Sequence, residues 1–344
     1  MQALQKEAYA TSTISATNTA LSAYAVFCQA TGLYPHHSTG ITDEELALFI
    51  TFLARSLATS TILTYISLGV RKMHQDLGMP WKPLSERPQA NATYKGLQRT
   101  KGPANAPKRK APITVDILRK LEAQYNRATL AGTAHVACLL IMFFALLRKS
   151  NTTISRKMGK VRHVLRRRDV TVLPDGSIML TVTSTKTIQF GQRKIEAILP
   201  IIANDPLCPT TALKTYLEAT PGRPQDEPLF GYHQPDGKWK SLSYEDLLAA
   251  LKSSLTRAGL DAHSYAAHSF RRGGATYAFF QGIPEHMIML LGDWKSYVWR
   301  DYVEVQTELR RKAAQMLADG VNSSADPAGI APPAKRQRPS ATSA

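Results

Sequence analysis

The sequence predicts a chain in two parts: an α-helical N-terminal domain, then a mixed α+β domain, mainly helical with a small antiparallel sheet. Three observations predict this. Apolar residues before position 100 recur at helical spacing. A proline-rich basic stretch at 100–112 breaks that pattern. Beyond it, helical patterns flank a group of short β-rich runs. The 344 residues suit roughly two domains of ~150 residues each, and 44% hydrophobic content can furnish a core for both.

The elements follow in order. Residues 16–30 carry Leu21, Tyr24, Phe27 and Cys28 on one helical face. Thr42 with Glu45 forms a capping-box pattern ahead of Leu46, Phe49, Phe52 and Leu53. Ser60 opens a third helix with Ile62, Tyr65, Ile66, Val70, Met73 and Leu77 on one face, and Gly78 stops it. A shorter helix covers 90–98. The stretch 100–112 holds three prolines and four basic residues, Lys101, Lys108, Arg109 and Lys110. It reads as an interdomain linker whose charges suit a phosphate backbone, although a solvated linker would look much the same.

Helices are expected next at 114–125 and 133–147. The apolar run 136–147 is too short for a bilayer, which takes about 20 residues, and reads as a helix buried on all sides. Residues 156–168 hold seven Lys/Arg and no acid. Strands are expected at 170–173, 177–185 and 195–199, the first two joined by a P-D-G turn. Helices return at 209–219, 243–258, 268–281, 284–291 and 296–317, with Ser243 and Asp246 as a capping pair. Alanine, proline, serine and glycine dominate from 319 onward, which reads as a disordered tail. The expected domains are therefore 1–99, a linker at 100–112, 113–318, and a tail at 319–344.

The net charge of +17 predicts a polyanionic partner, nucleic acid before membrane. Cys28, Cys138 and Cys208 are scattered singly, so neither a zinc site nor a disulfide framework is signalled. No signal peptide is expected from the polar, Ser/Thr-rich start. There is no H-E-x-x-H, acidic cluster for magnesium, Walker loop or G-x-S-x-G, so no cofactor or metal is expected.

A basic protein that acts on phosphodiesters without a metal must supply charge from side chains. It needs arginines at the phosphate, a proton donor for the leaving oxygen and a side-chain nucleophile. Candidates for each are present. Arg148 ends the apolar run in A-L-L-R-K-S-N. Lys186 lies just past an extended run. His268 and Arg271 stand one helical turn apart in H-S-F-R-R-G-G-A-T. Trp294 and Tyr302 lie in G-D-W-K-S-Y-V-W-R-D-Y. Singly, each has an ordinary explanation: a solvated arginine, a polar helix face, a core tyrosine. Their order and spacing, with 23 residues from Arg271 to Trp294 and eight from Trp294 to Tyr302, change the weighing.

In that series the chain resembles the tyrosine recombinase (phage integrase) superfamily over residues 15–315. The details A-L-L-R-K-S-N, Y-K-G-L-Q-R-T-K-G and G-D-W-K-S are most similar to recombinases of eukaryotic mobile elements of the Crypton and DIRS kind. The resemblance implies a core-binding helical domain and a catalytic domain. It implies that Tyr302 attacks the scissile phosphate to form a 3′-phosphotyrosyl link. Arg148 and Arg271 would neutralise the phosphate oxygens, Lys186 would act as general acid, His268 as base, and Trp294 would pack beside the phosphate and donate its indole N–H. Tyr297 and Arg272 are the weaker rivals for Tyr302 and Arg271. The family's acid three residues after the first arginine is Asn151 here. The basic segment 156–168 lengthens the chain between Arg148 and Lys186, and Arg166, Arg167 and Arg168 are candidates for DNA contact. The implied partners are double-stranded DNA and, on it, three further copies of the chain, with mostly monomer away from DNA. A-K-R-Q-R-P at 334–339 suggests the nucleus in a eukaryotic host, otherwise the cytoplasm. The alternatives are a type IB topoisomerase-like enzyme and a catalytically silent DNA-binding protein descended from a recombinase.

Overall fold

The computed structural model describes residues 11–34, 38–101, 109–155, 163–185, 188, 192–296 and 299–300, with 311, 314, 315, 318 and 319. The chain divides into two compact units, Met1–Arg109 and Lys110–Ala344.

The first unit is helical. Helix α1 spans Thr11–Thr31 and α2 Asp43–Leu53. The capping box at the start of α2 forms as the sequence predicts: Thr42 Oγ1 accepts from Glu45 N at 3.2 Å and Glu45 Oε2 accepts from Thr42 N at 2.7 Å. The single helix expected from Ser60 is instead three pieces, α3 (Thr59–Tyr65), a π turn (Ile66–Val70) and α4 (Arg71–Asp76). The π turn coincides with a close approach, because a Cβ on Gly69 would lie 2.8 Å from the Ala20 Cβ of α1. An extra residue in one turn realigns the helix at that point. Helix α5 runs over Pro88–Lys101, longer at both ends than 90–98. The Asp43 carboxylate accepts from the backbone N of Gln89 and Ala90, both at 2.9 Å, so α2 supplies the cap for α5. Tyr24, Phe27, Leu46, Phe49, Ile50, Ile62, Ile66, Val70 and Tyr94 form the core.

In the second unit, α6 (Val115–Glu122) is capped by Thr114. Helix α7 (Leu130–Phe144) is buried from Gly132 to Phe143. It begins three residues before the expected start, where Thr129 caps it, and ends before Leu146, which takes a left-handed φ of 50°. A short helix α8 follows at Lys149–Thr152. Strands β1 (Val170–Val172), β2 (Ile178–Val182) and β3 (Ile195–Leu199) form an antiparallel sheet in sequence order, with Leu180 opposite Val170 and Ala197. Ile178, Leu180 and Val182 face the core together with Ile195, Ala197 and Leu199. Helix α9 (Pro209–Glu218) precedes a hairpin that the sequence reading passed over, β4 (Gly231–His233) with β5 (Trp239–Ser241). Its strands are too short to show alternation, although P-D-G at 235–237 is the same turn signal that was read at 174–176.

Helix α10 (Tyr244–Arg257) carries the expected Ser243 cap. Helices α11 (His268–Phe280) and α12 (Glu285–Leu291) complete the described helices of this unit before residue 311. Helix α11 lies directly on the backbone of its neighbours. A Cβ on Gly273 would overlap the Ile113 carbonyl, and one on Gly274 would overlap the Phe143 carbonyl at the end of α7. The R-R-G-G sequence thus brings an arginine-bearing helix against the end of the most buried one. Among the described residues, no helix is long and apolar enough to cross a membrane. All three cysteines are buried and free.

Two sequence expectations change here. Thr100 and Lys101 belong to α5, and Lys101 Nζ donates to Ala54 O at 2.7 Å. The basic segment is split. Residues 156–162 lie outside the described residues. Val164 and Leu165 are buried, and Leu165 exchanges backbone bonds with Asn151 O (2.8 Å) and Leu229 N (2.7 Å). Residues 163–168 are therefore fastened into the fold and do not form a loose insertion.

Candidate active site

Four segments converge: the end of α7 running into α8, the turn after β2, the first turns of α11, and the loop after α12. The first carries Arg148. After the left-handed Leu146 the chain turns extended at Arg148, which precedes α8. Asn151 holds this turn. Its Oδ1 accepts from Arg148 N at 3.3 Å, while its Nδ2 donates to His163 O at 3.1 Å and Ser184 O at 3.3 Å. Two of those partners are carbonyls, so the position needs donors. An amide supplies them and an ionised carboxylate cannot.

Arg271 is 2% exposed. Its Nη1 donates to Leu146 O and its Nη2 to Gly292 O. Its guanidinium lies 3.9 Å from the centroid of the Trp294 ring. The Trp294 ring fits over Gly292, where any Cβ would collide with it. Arg271 therefore ties the turn before Arg148 to the loop that carries Trp294. Arg272 points elsewhere, with Nη1 on Lys110 O. That agrees with the roughly 100° between successive residues of a helix.

His268 opens α11 one turn before Arg271. Burial, followed by the charges of Arg271, Arg272, Arg148 and Lys149, pushes its imidazole down to about 4. One side of the ring is open to solvent, which weakens the burial contribution; the four cations carry the direction of the shift. His268 is thus neutral at physiological pH and able to accept a proton.

The acid of this site is one the sequence reading did not single out. Asp293 is 4% exposed and left-handed, with φ 53°. Its Oδ2 accepts from Thr185 Oγ1 at 2.9 Å and lies 3.4 Å from Arg148 Nη1, while its Oδ1 pairs with Arg193 Nη2. Arg193, also passed over, sits just before β3. The missed signal was local: an acid inside G-D-W, next to a chosen tryptophan. Lys186 lies outside the described residues. Its neighbour Thr185 is bonded both to Asp293 and, backbone to backbone, to Ile188, with N–O distances of 3.1 and 3.3 Å.

Tyr302 and its rival Tyr297 also lie outside the described residues. Between them in sequence, Trp299 is fully buried with Leu146, Ala275, Ala278 and Ile288 and lies 5.9 Å from the Phe279 ring. Arg300 pairs with Glu285 at 2.8 Å. Trp299, three residues before Tyr302, is a further buried residue that was not anticipated, although W-R-D-Y showed an aromatic at that spacing.

Of the sequence-predicted residues, the structure brings Arg148, His268, Arg271 and Trp294 together. The expected DNA contacts are scattered. Lys110 Nζ donates to His263 O at 2.6 Å. Arg166 reaches Asp226 O, Arg168 pairs with the Asp226 carboxylate, and Arg167 holds Thr220 Oγ1 (2.8 Å) and O (2.9 Å). Arg109 is exposed. Lys108 lies outside the described residues.

No protein-family model matches the chain. In sequence it is similar to an integrase/recombinase XerD homologue of Selenomonas ruminantium, 25% identical over 262 residues, covering 73% of this chain and 71% of the relative. In fold it is similar to the XerH site-specific recombinase in a post-cleavage complex with palindromic difH substrate. That match has a TM-score of 0.54 at 16% identity and covers 81% of this chain and 70% of the other. It is also similar to a lambda integrase dimer bound to a COC′ core site, with a TM-score of 0.55 at 15% identity, covering 89% and 93%. These likenesses show the fold: a helical first part and a mixed, mainly helical second part with a small antiparallel sheet. By sequence and by fold together, the chain is similar to site-specific recombinases and integrases.

Proposed function

We propose that this protein cuts and rejoins double-stranded DNA as a site-specific recombinase or integrase of a mobile element, with Tyr302 as nucleophile. One observation carries the reading. Arg148 and Arg271, far apart in sequence, are fastened to the same two turns beside a neutral histidine, through Leu146 O, Gly292 O and Asp293. That is an anion-binding site with a proton acceptor at its edge. In the reaction, the Tyr302 oxygen attacks phosphorus as its proton passes to His268. The bond to the 5′-oxygen breaks, and Lys186 protonates that leaving oxygen to give a 5′-hydroxyl. The phosphodiester is exchanged for a 3′-phosphotyrosyl ester, so rejoining needs no ATP. Arg148 and Arg271 stabilise the charge on the non-bridging oxygens, which is greatest in the transition state.

The mobile-element assignment, of the Crypton and DIRS kind, rests on A-L-L-R-K-S-N and G-D-W-K-S. Four tyrosines are needed to cut both strands of two duplexes, so the active form is a DNA-bound tetramer. The apolar stripe Val305, Leu309, Ala313, Met316 and Leu317 is suited to dock on a neighbouring copy. An apolar groove lined by Phe143, Phe144, Leu146, Ile198, Tyr277 and Ile283 is a fitting receiver. The basic tail would direct the protein to the nucleus of a eukaryotic host. The test is trapping on a suicide DNA substrate: wild type forms a covalent protein–DNA adduct, and Tyr302→Phe binds the DNA without forming one.

A further inference from the structure

The position directly after Gly292 is filled by a carboxylate whose side chain enters the site, and nothing in the proposed chemistry uses it. We propose that Asp293 is a positioning residue that clamps Arg148 and Arg193 side by side toward the scissile phosphate. The proposal rests on the strand-cleavage reading above.

The geometry is that of a clamp. Asp293 has almost no solvent, its two carboxylate oxygens face different cations, and Thr185 Oγ1 holds Oδ2 in place at 2.9 Å. A buried, unpaired carboxylate would be costly, and two guanidinium groups remove that cost. The pairing is partial on the cationic side. Asp293 meets Arg148 through Nη1 at 3.4 Å, and 23% of the Arg148 side chain and 40% of the Arg193 side chain remain exposed. Neither arginine side chain is fully enclosed, so a phosphate can approach both. With one negative and two positive charges, the cluster retains a net positive charge before Arg271 is added. Thr185 precedes Lys186, so the clamp also fixes the start of the segment that carries the proposed general acid. Asn151 cannot serve as the clamp, because its amide is committed to Arg148 N, His163 O and Ser184 O.

The backbone makes the test clean. Asp293 has φ 53°, a region that asparagine adopts readily. Asp293→Asn thus keeps size, backbone and an acceptor for Thr185, and removes the charge together with the acceptor that faces Arg193. In single-turnover trapping with the full chain, the variant should bind its DNA site as wild type does and cleave about 10- to 100-fold more slowly, the penalty expected for misplaced catalytic groups. Arg193→Gln, at a position whose side chain is 40% exposed and outside the core, should weaken DNA binding by no more than one phosphate contact and cleave several-fold more slowly. A second readout is independent of cleavage. In protein labelled with ¹⁵N-arginine, guanidinium hydrogen exchange at Arg148 and Arg193 should quicken in Asp293→Asn. Cleavage at the wild-type rate by both variants overturns the proposal, as does unchanged exchange. If wild type forms no adduct on any substrate, the cleavage reading falls, and the exchange measurement alone decides whether the clamp exists.

Discussion

His268 and Arg271 occupy one turn of α11 but differ in environment. Arg271 is buried under the Trp294 ring, and His268 is open on one side. Burial and the surrounding cations push the imidazole down to about 4 from an ordinary 6.5. The folded protein therefore resists protonating it. The stability tied to neutral His268 is fully present above about pH 6.5 and is lost as pH falls toward 4. An NMR titration should put the His268 midpoint below 5.5, well under the ordinary histidine value. A midpoint at 6.5 or above would contradict the depression assigned to burial and the surrounding cations. H-x-x-R was legible because both residues sit on one helix at a spacing that sequence displays. Asp293 was not, because its meaning depends on Arg148, Arg193 and Thr185, which are distant in the chain. Asn151 was legible as a departure from the family pattern. Why an amide stands there became visible only with the two carbonyls it serves.

At the scale of elements, the three arginines 166–168 divide by environment. Arg167 is half-buried and gives two hydrogen bonds to Thr220, which together contribute about 1–3 kcal/mol. Arg168 is an exposed partner of Asp226, an ion pair of little net worth, so it can swing to a phosphate at small cost. Arg166 donates to the Asp226 carbonyl. Replacing all three with glutamine should therefore lower the slope of log affinity against log salt by no more than about two, not three. Arg167→Gln alone should lower thermal stability and leave the slope unchanged. A fall of three units, or a slope change from Arg167→Gln alone, would show that the segment releases all its internal bonds on DNA. The elements themselves were mostly legible. Helical and alternating periodicities are local, and the caps at Thr42 and Ser243 are carried by residues three apart. The π turn in the third helix was not legible, because Gly69 meets Ala20 only after folding. The cap that Asp43 places on α5 escaped for the same reason.

At the scale of the whole molecule, the chain supplies two cores, a strongly basic surface and an apolar groove on the second unit. Its +17 charge favours a polyanionic partner without specifying a sequence. If the segment 307–317 docks into that groove on a neighbouring copy, truncation after Val305 should abolish higher-order complexes on paired sites and keep single-site binding. Undiminished tetramers in the truncated protein would refute the exchange. The proposed function depends on whether the arginine site opens a DNA strand. The most direct measurement is adduct trapping: the full chain with a nicked suicide duplex in EDTA and without nucleotide, followed by denaturing electrophoresis and peptide mapping of the linkage. The account predicts a covalent protein–DNA species joined through Tyr302 and absent from Tyr302→Phe. A strict need for magnesium in cleavage, or an adduct that persists in Tyr302→Phe, would contradict it.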